Sequence, residues 1–212
     1  VDEALSADDA RLLPIFRDPP RSWAEFDLTV VFARLPFGDI RRDPLEAVAR
    51  GTHVADWLVE AIDPACNDRT PRLEVEPAQG TELAIHPGAG SLAKRWPPRH
   101  FAAVARALAL PTAVVCGPAD EEAVQALSQL TASFQVWRGL TLPDLARRLK
   151  SSRLVVGNDS GISHLAAALG TRPAAIYVST APDVWGIRGQ RTVQLPARVA
   201  PEDVALALGH LA

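Results

Sequence analysis

Residues 153–178 read RLVVGNDSGISHLAAALGTRPAAIYV, and the texture of this stretch changes twice. It opens on a short β-branched run, RLVVG (153–157), passes through the small polar residues Asn158-Asp159-Ser160-Gly161, and enters a segment of helical periodicity that stops at Gly170. At 100° per residue, Ile162, Leu165, Ala166 and Leu169 share one face, with Ser160 and His164 on the opposite one. Gly170 suits a helix C-terminus, where a left-handed residue closes the last turn. A second apolar run, PAAIYV (173–178), follows. Strand, turn, helix, strand at this length is the unit of a parallel sheet covered by helices.

Outward from that unit the pattern repeats. Upstream, ELAIH ends at His86, and TAVVC (112–116), FQVW (134–137) and RLVVG predict successive strands. Downstream, TVQL (192–195) predicts a last one. Helices fall between them. One opens near Pro98 and turns Phe101, Val104, Ala105 and Leu108 inward; another carries Ala123, Val124, Leu127 and Leu130 inward. A third is capped by Thr141-x-x-Asp144 and packs Leu142, Leu145 and Leu149. A final helix starts at Pro201-Glu202-Asp203, with acidic side chains at the positive end of its dipole. The expectation is an α/β chain whose second part, residues 76–212, is a Rossmann-like parallel sheet with helices on both faces. Residues 1–75 are irregular and predict a partial N-terminal α/β domain ending in a turn-rich linker. FDLTVVFA (26–33) is a candidate strand of that domain.

Composition narrows the function classes. The chain has 212 residues, 48% of them hydrophobic, and a formal charge of −3. That balance, with a pI near 6.0, predicts no nucleic-acid partner, which would need a basic face. No apolar run reaches the roughly 18 residues of a membrane span, and the acidic start VDEALSADD is not a signal peptide. There is no methionine, even at position 1, so the chain reads as processed or truncated. The two cysteines, Cys66 and Cys116, form no C-x-x-C pair, and Cys116 reads as a buried thiol. A reducing, cytoplasmic setting fits.

In open parallel sheets ligands bind beyond the carboxyl ends of the strands, so the loops after His86, Cys116, Gly157 and Val178 carry the chemistry. The first reads HPGAGSLAKRW (86–96). Gly88 and Gly90 let backbone N–H groups approach an anion, Ser91 adds a hydroxyl donor, and Lys94 and Arg95 add charge before a helix start. It is neither a Walker loop nor G-x-G-x-x-G, which disfavours a dinucleotide enzyme. In the loop after Gly157, Asp159 sits at the strand-to-helix junction, while the Ser160 and Gly161 N–H groups are among the donors a helix leaves open. His164 lies one turn on. Plain alternatives stand beside each: Asp159 as a helix cap, His164 as a solvated side chain, Gly161 as a packing glycine. After Gly117-Pro118, Glu121 and Glu122 either bind ribose hydroxyls or merely complement a helix dipole. Trp185-Gly186 flanks a ligand or packs its loop.

HPGAG-S-x-x-KRWPPRHFAAVA followed by VVGNDSGISHLAAALGTRPAAIYVSTAP closely resembles the ADP-heptose:lipopolysaccharide heptosyltransferase family, glycosyltransferase family 9. The resemblance runs from about residue 81 to the end, and residues 51–75 look like the end of the family's N-terminal domain and its linker. It implies the GT-B architecture and an inverting transfer of a heptose-type sugar, from a nucleotide-diphosphate donor such as ADP-heptose to a lipid-linked saccharide of the lipopolysaccharide core. No metal or other cofactor is implied; peripheral contact with the inner membrane is. Lys94 would then contact the donor diphosphate, with Gly90 and Ser91 lining the same loop. Asp159 would meet sugar hydroxyls, Ser160 and Gly161 would bind phosphate with His164 beside them, and Glu122 would hold the ribose. One departure stands out. The family opens with a strand and a Gly-rich loop bearing an aspartate, the proposed base, and Gly38-Asp39 is only a superficial echo of it. The expectation is that the first half of the N-terminal domain is missing or replaced, so no catalytic base is assigned. A donor-binding module without catalysis is the alternative.

Overall fold

The computed structural model describes residues 30–31, 40–41, 44–131 and 134–209. The chain divides into two compact units at Arg69/Thr70. In the first, β1 (Val30–Val31) pairs in parallel with β2 (Ile40–Arg41), and α1 (Pro44–Arg50) and α2 (Val54–Ile62) follow. The rest of FDLTVVFA and the Gly38-Asp39 pair lie outside the described residues. His53 starts α2 by accepting the Ala55 N–H on its ring (3.1 Å), and Trp57 is buried beneath the Arg50 guanidinium, 4.5 Å from the ring centre.

The second unit is a six-stranded, wholly parallel sheet. Its strands are β3 (Leu83–His86), β4 (Thr112–Cys116), β5 (Gln135–Arg138), β6 (Leu154–Asn158), β7 (Pro173–Tyr177) and β8 (Val193–Pro196), in the spatial order β5-β4-β3-β6-β7-β8. The chain winds outward from β3 in one direction, then returns to β6 and winds in the other. The sheet therefore reverses between β3 and β6, and at such a switch point the flanking loops diverge and leave a crevice. Residues 70–80 belong with this unit: the Leu73 N–H donates to Ala168 O (2.8 Å) and the Ala78 N–H to Arg147 O (3.0 Å).

Period-2 alternation sorts the side chains between two layers. Leu83, Ile85, Val114, Leu154, Val156 and Ile176 point into one core with Phe101 and Val104 of α3 (Pro98–Leu108), Val124 and Leu127 of α4 (Glu121–Ser128), and Val204 and Leu208 of α8 (Pro201–Gly209). Ala84, Ala113, Val115 and Val155 point into the other, with Leu145 and Leu149 of α5 (Leu142–Lys150) and Ala166 of α6 (Gly161–Ala168); Leu169, just past α6, joins them. Thr141 caps α5 by accepting the Asp144 N–H (3.3 Å), and its hydroxyl donates to the Asp144 carboxylate (2.6 Å). Gly170 closes the turn after α6 at φ +71°.

Two expected core residues point outward. Leu142 is 64% and Leu130 46% exposed. Leu142 occupies the first residue of α5, before the helix reaches the sheet. Leu130 lies beyond the last residue of α4, so the helical period no longer directs it inward. Among the described residues no helix is long and apolar enough to cross a membrane.

Candidate functional site

The register of β3 against β6 pairs His86 with Gly157, so the loops after these central strands leave the sheet side by side. Glycine at 157 permits the approach: a Cβ there would meet Ser163 Oγ at 3.1 Å and His86 O at 3.2 Å. The two loops are then tied by Asn158, which is wholly buried. Its amide donates to Pro87 O (2.9 Å) and Gly88 O (3.0 Å), and its oxygen accepts the Trp96 N–H (2.8 Å). Both ends of the 87–96 arch are thus fixed to β6, with every polar atom of the amide engaged. The tip, Gly90-Ser91 followed by a 3-10 turn at Leu92–Lys94, projects over the carboxyl edge of the sheet.

Lys94 descends from that tip to Asp159, with Nζ 2.8 Å from Oδ2. Thr180, after β7, donates to the same oxygen at 2.7 Å, and His164 Nε2 lies 3.8 Å from Oδ1. The Asp159 side chain is 5% exposed and that of Lys94 31%. Burial pushes the Asp159 carboxyl up, but its contacts with His164, Lys94 and Thr180 outweigh that and hold it well below the usual carboxylate range. It is a buried anion held by Lys94 from the 87–96 loop, Thr180 from the loop after β7 and His164 from α6.

Ser160 is the N-cap residue of α6 yet makes no capping bond. Its Oγ lies 3.1 Å from His86 Nδ1, and His86 Nε2 lies 3.1 Å from Asp120 Oδ2. The Gly161 and Ile162 N–H groups find no acceptor among the described residues, leaving the start of α6 open to an anion. A Cβ at Gly161 or at Gly90 would meet nothing within 4 Å. Gly161 is therefore not a packing glycine. Gly88 differs. A Cβ there would collide with the Asp120 carboxylate, so that glycine makes room for a protein carboxylate and not only for an incoming anion.

Lys94, Asp159, Ser160, Gly161 and His164 thus gather at the switch point, with Gly90 and Ser91 exposed at the arch tip. Glu122 stands apart. Its side chain is 84% exposed and pairs loosely with Arg95, at 3.6 Å, across a groove of about 260 Å³ lined also by Leu92, Trp96 and Pro98. Glu121 is taken up by Arg138, in two contacts of 2.8 Å. A separate groove of about 270 Å³, between residues 70–74, the end of α6 and the loop 189–191, holds none of the site residues. Trp185 is half-buried on α7 (Pro182–Trp185). No group of three His, Cys, Asp or Glu side chains suited to a metal ion occurs among the described residues.

Four residues that complete this arrangement escaped the sequence reading: His86, Asn158, Asp120 and Thr180. Asp120 had a legible signal. It stands three residues after Gly117, whose N–H it accepts at 2.9 Å, in the turn that Gly117-Pro118 announces.

A crevice at the reversal of a parallel sheet, with a lysine from one loop and a helix start from the other, suits a diphosphate. The model of "Glycosyltransferase family 9 (heptosyltransferase)" matches residues 61–202. The chain belongs to glycosyltransferase family 9. Lipopolysaccharide heptosyltransferase 1 of Escherichia coli (strain K12) is 30% identical over 118 residues, covering 52% of this chain and 35% of that protein. Among solved structures, E. coli ADP-heptose lps heptosyltransferase II aligns with TM-score 0.64 at 21% identity, over 76% of this chain and 61% of that one. E. coli heptosyltransferase WaaC with ADP aligns at 0.63 and 21%, over 82% and 60%. The glycosyl transferase family 9 protein of Veillonella parvula aligns at 0.66 and 21%, over 76% and 60%. These structures share the α/β fold of this family 9 chain, which spans about a third of the curated relative and about three-fifths of the solved ones.

Proposed function

We propose that this family 9 chain holds the donor of a heptosyltransferase reaction: an ADP-linked heptose whose diphosphate lies between the Gly90–Lys94 arch and the start of α6. The observation that carries the reading is the 2.8 Å Lys94–Asp159 pair at the switch point, beside the open Gly161 and Ile162 N–H groups. Lys94 is a point charge for phosphate. Asp159, kept ionised, accepts hydrogen bonds from sugar hydroxyls. The helix start contributes about 0.3–1 kcal/mol to an anion at an exposed site, and more where partly buried. Ser91 and the Ser160 hydroxyl complete the donor set, and His164 stands beside it. Glu122, across the Arg95 groove, is the carboxylate assigned to the ribose.

Such a site does more than bind. As the bond from the sugar anomeric carbon to the diphosphate breaks, negative charge gathers on the leaving group, and fixed donors aimed there lower the barrier. In this reading Lys94 and the α6 amides supply that stabilisation without a resident metal or other cofactor. The acceptor is a lipid-linked saccharide of the lipopolysaccharide core, attacked with inversion. The first unit, up to Arg69, belongs to the acceptor side. The chain works in the cytoplasm, in peripheral contact with the inner membrane. The E. coli relatives whose names specify lipopolysaccharide and ADP-heptose support this choice of substrates.

Calorimetric titration tests the site. ADP binds and NAD does not; Lys94→Ala, which removes a charge-assisted hydrogen bond to the diphosphate, and Asp159→Ala, which releases Lys94 from its position, each weaken ADP by roughly tenfold to a hundredfold. Undiminished affinity in both variants removes the site. Turnover of ADP-heptose by the full gene product separates an enzyme from a binding module.

A further inference from the structure

Behind the donor site lies a buried relay that the reading above leaves unused. His86, at the end of β3, is 6% exposed. Its Nε2 faces Asp120 Oδ2 and its Nδ1 faces Ser160 Oγ, each at 3.1 Å. The Asp120 carboxylate accepts the Gly117 N–H as well. Burial pushes that carboxyl up; the hydrogen bonds from His86 and the Gly117 N–H and the charge of Arg95 outweigh it and hold it below its ordinary value. An ionised carboxylate only accepts hydrogen bonds, so Nε2 must carry a proton.

That leaves the Nδ1 side with two arrangements. With a neutral imidazole, Nδ1 accepts a hydrogen bond from the Ser160 hydroxyl, so the serine turns lone pairs outward. With an imidazolium, Nδ1–H donates to Ser160 Oγ, and the intact hydroxyl turns its O–H toward the crevice. A diphosphate oxygen accepts and does not donate, so it meets a repulsive lone pair in the first state and a hydrogen-bond donor in the second.

We propose that His86 is a positioning residue that sets the polarity of the Ser160 hydroxyl, so that a diphosphate binds together with a proton taken up from solvent at His86. The proposal rests on the donor-site reading. The charged and titratable groups around the imidazole fit it. On the α4 side stand Asp120, with Arg95 acting on the same carboxylate, and the Cys116 thiol, which shares a cavity of about 100 Å³ with His86. On the α6 side, Asp159 is already held by Lys94, Thr180 and His164, so its charge is matched before a ligand arrives. The counter-charge for an imidazolium is therefore Asp120, and a bound diphosphate adds a second anion on the far side of Ser160.

The linkage has a definite sign. A ligand that binds the protonated form loses affinity as pH rises, by up to tenfold per pH unit where the free imidazole is neutral and the bound one charged. The test is calorimetry of ADP binding to the whole chain at about pH 8, above the ordinary histidine range, in buffers of small and large ionisation enthalpy. The expected result is a buffer-dependent enthalpy equivalent to uptake of up to one proton in the wild type. It disappears in Ser160→Ala, which keeps the His86–Asp120 pair, and in His86→Asn, whose amide donates to Ser160 at any pH. ADP's own ionisation is common to all three proteins and cancels in the comparison. Two results overturn the relay while leaving the donor site standing: ADP bound with the same enthalpy in every buffer, or proton uptake that persists in Ser160→Ala. Failure of ADP to bind the wild type overturns the donor-site reading, and this inference with it.

Discussion

Lys94–Asp159 and Arg138–Glu121 are both ion pairs closed to 2.8 Å, and they differ in everything else. The first lies over the central strands β3 and β6, where β6 is buried along its whole length; the second lies at the β5 edge, where the first and last strand residues are exposed. Asp159 is 5% exposed and shares its charge with Thr180 and His164. Glu121 and Arg138 are each more than half exposed. Contact distance therefore says little about what an ion pair is for. Burial in a low-dielectric crevice makes the central pair costly to break and sensitive to a ligand, whereas water and salt screen the edge pair.

That contrast is broken most severely at Asn158, which builds the central site without touching a ligand. Asn158→Ala strands the Trp96 N–H and the carbonyls of Pro87 and Gly88, all inside the fold. Each orphaned buried group costs about 1–3 kcal/mol. With partial relaxation, the variant should lose roughly 2–4 kcal/mol. For a chain of this size that lowers the melting temperature by roughly 5–15 °C. Because the 87–96 arch loses its anchor, ADP affinity should fall as well. A melting curve that superposes on the wild type would mean that the arch is held by something else.

Asn158 also marks where sequence reading stops. The sheet was legible because each element advertises itself: TAVVC is β4 residue for residue, and Thr141 and Gly170 begin and end their segments as their chemistry requires. The site loops were legible because parallel sheets place ligands at one edge, so Lys94 and Asp159 had to share a side. Their direct contact was not legible, since it depends on the β3–β6 register. The contact between His86 and Asp120 was hidden for the same reason: 34 residues separate them, although the Gly117-Pro118 turn marks Asp120 locally. Leu130 and Leu142 misled because periodicity runs on past the residues at which the helices actually end or meet the sheet.

The Lys94–Asp159 pair sharpens the contrast by titration. A double-mutant cycle with Lys94→Ala and Asp159→Asn, read by chemical denaturation, should give a coupling of about 1–3 kcal/mol, below the figure for fully buried pairs because Lys94 is partly exposed. The pH dependence has a fixed direction. Asp159 is depressed in the folded state, so its stabilisation is fully present above its unfolded value of about 3.9 and is lost as pH falls below that toward the folded value. Wild type and Asp159→Asn should therefore differ at neutral pH and converge in acid. Curves that stay parallel down to about pH 2 would show that the carboxylate draws little from its partners.

The smallest effect is expected at the edge. Arg138 makes two straight contacts with Glu121, and mutual attraction lowers the carboxyl and raises the guanidinium. Both groups nonetheless sit in water, where the ordering of two long side chains offsets what the charges gain. Arg138→Ala, Glu121→Gln and the double variant should melt with the wild type at physiological salt, and any residual difference at low salt should vanish as salt is added. A salt-independent loss in Arg138→Ala alone would instead implicate its aliphatic stem. A salt-independent coupling between the two would place the β5 edge in the same class as the crevice, and exposure would no longer separate the two pairs.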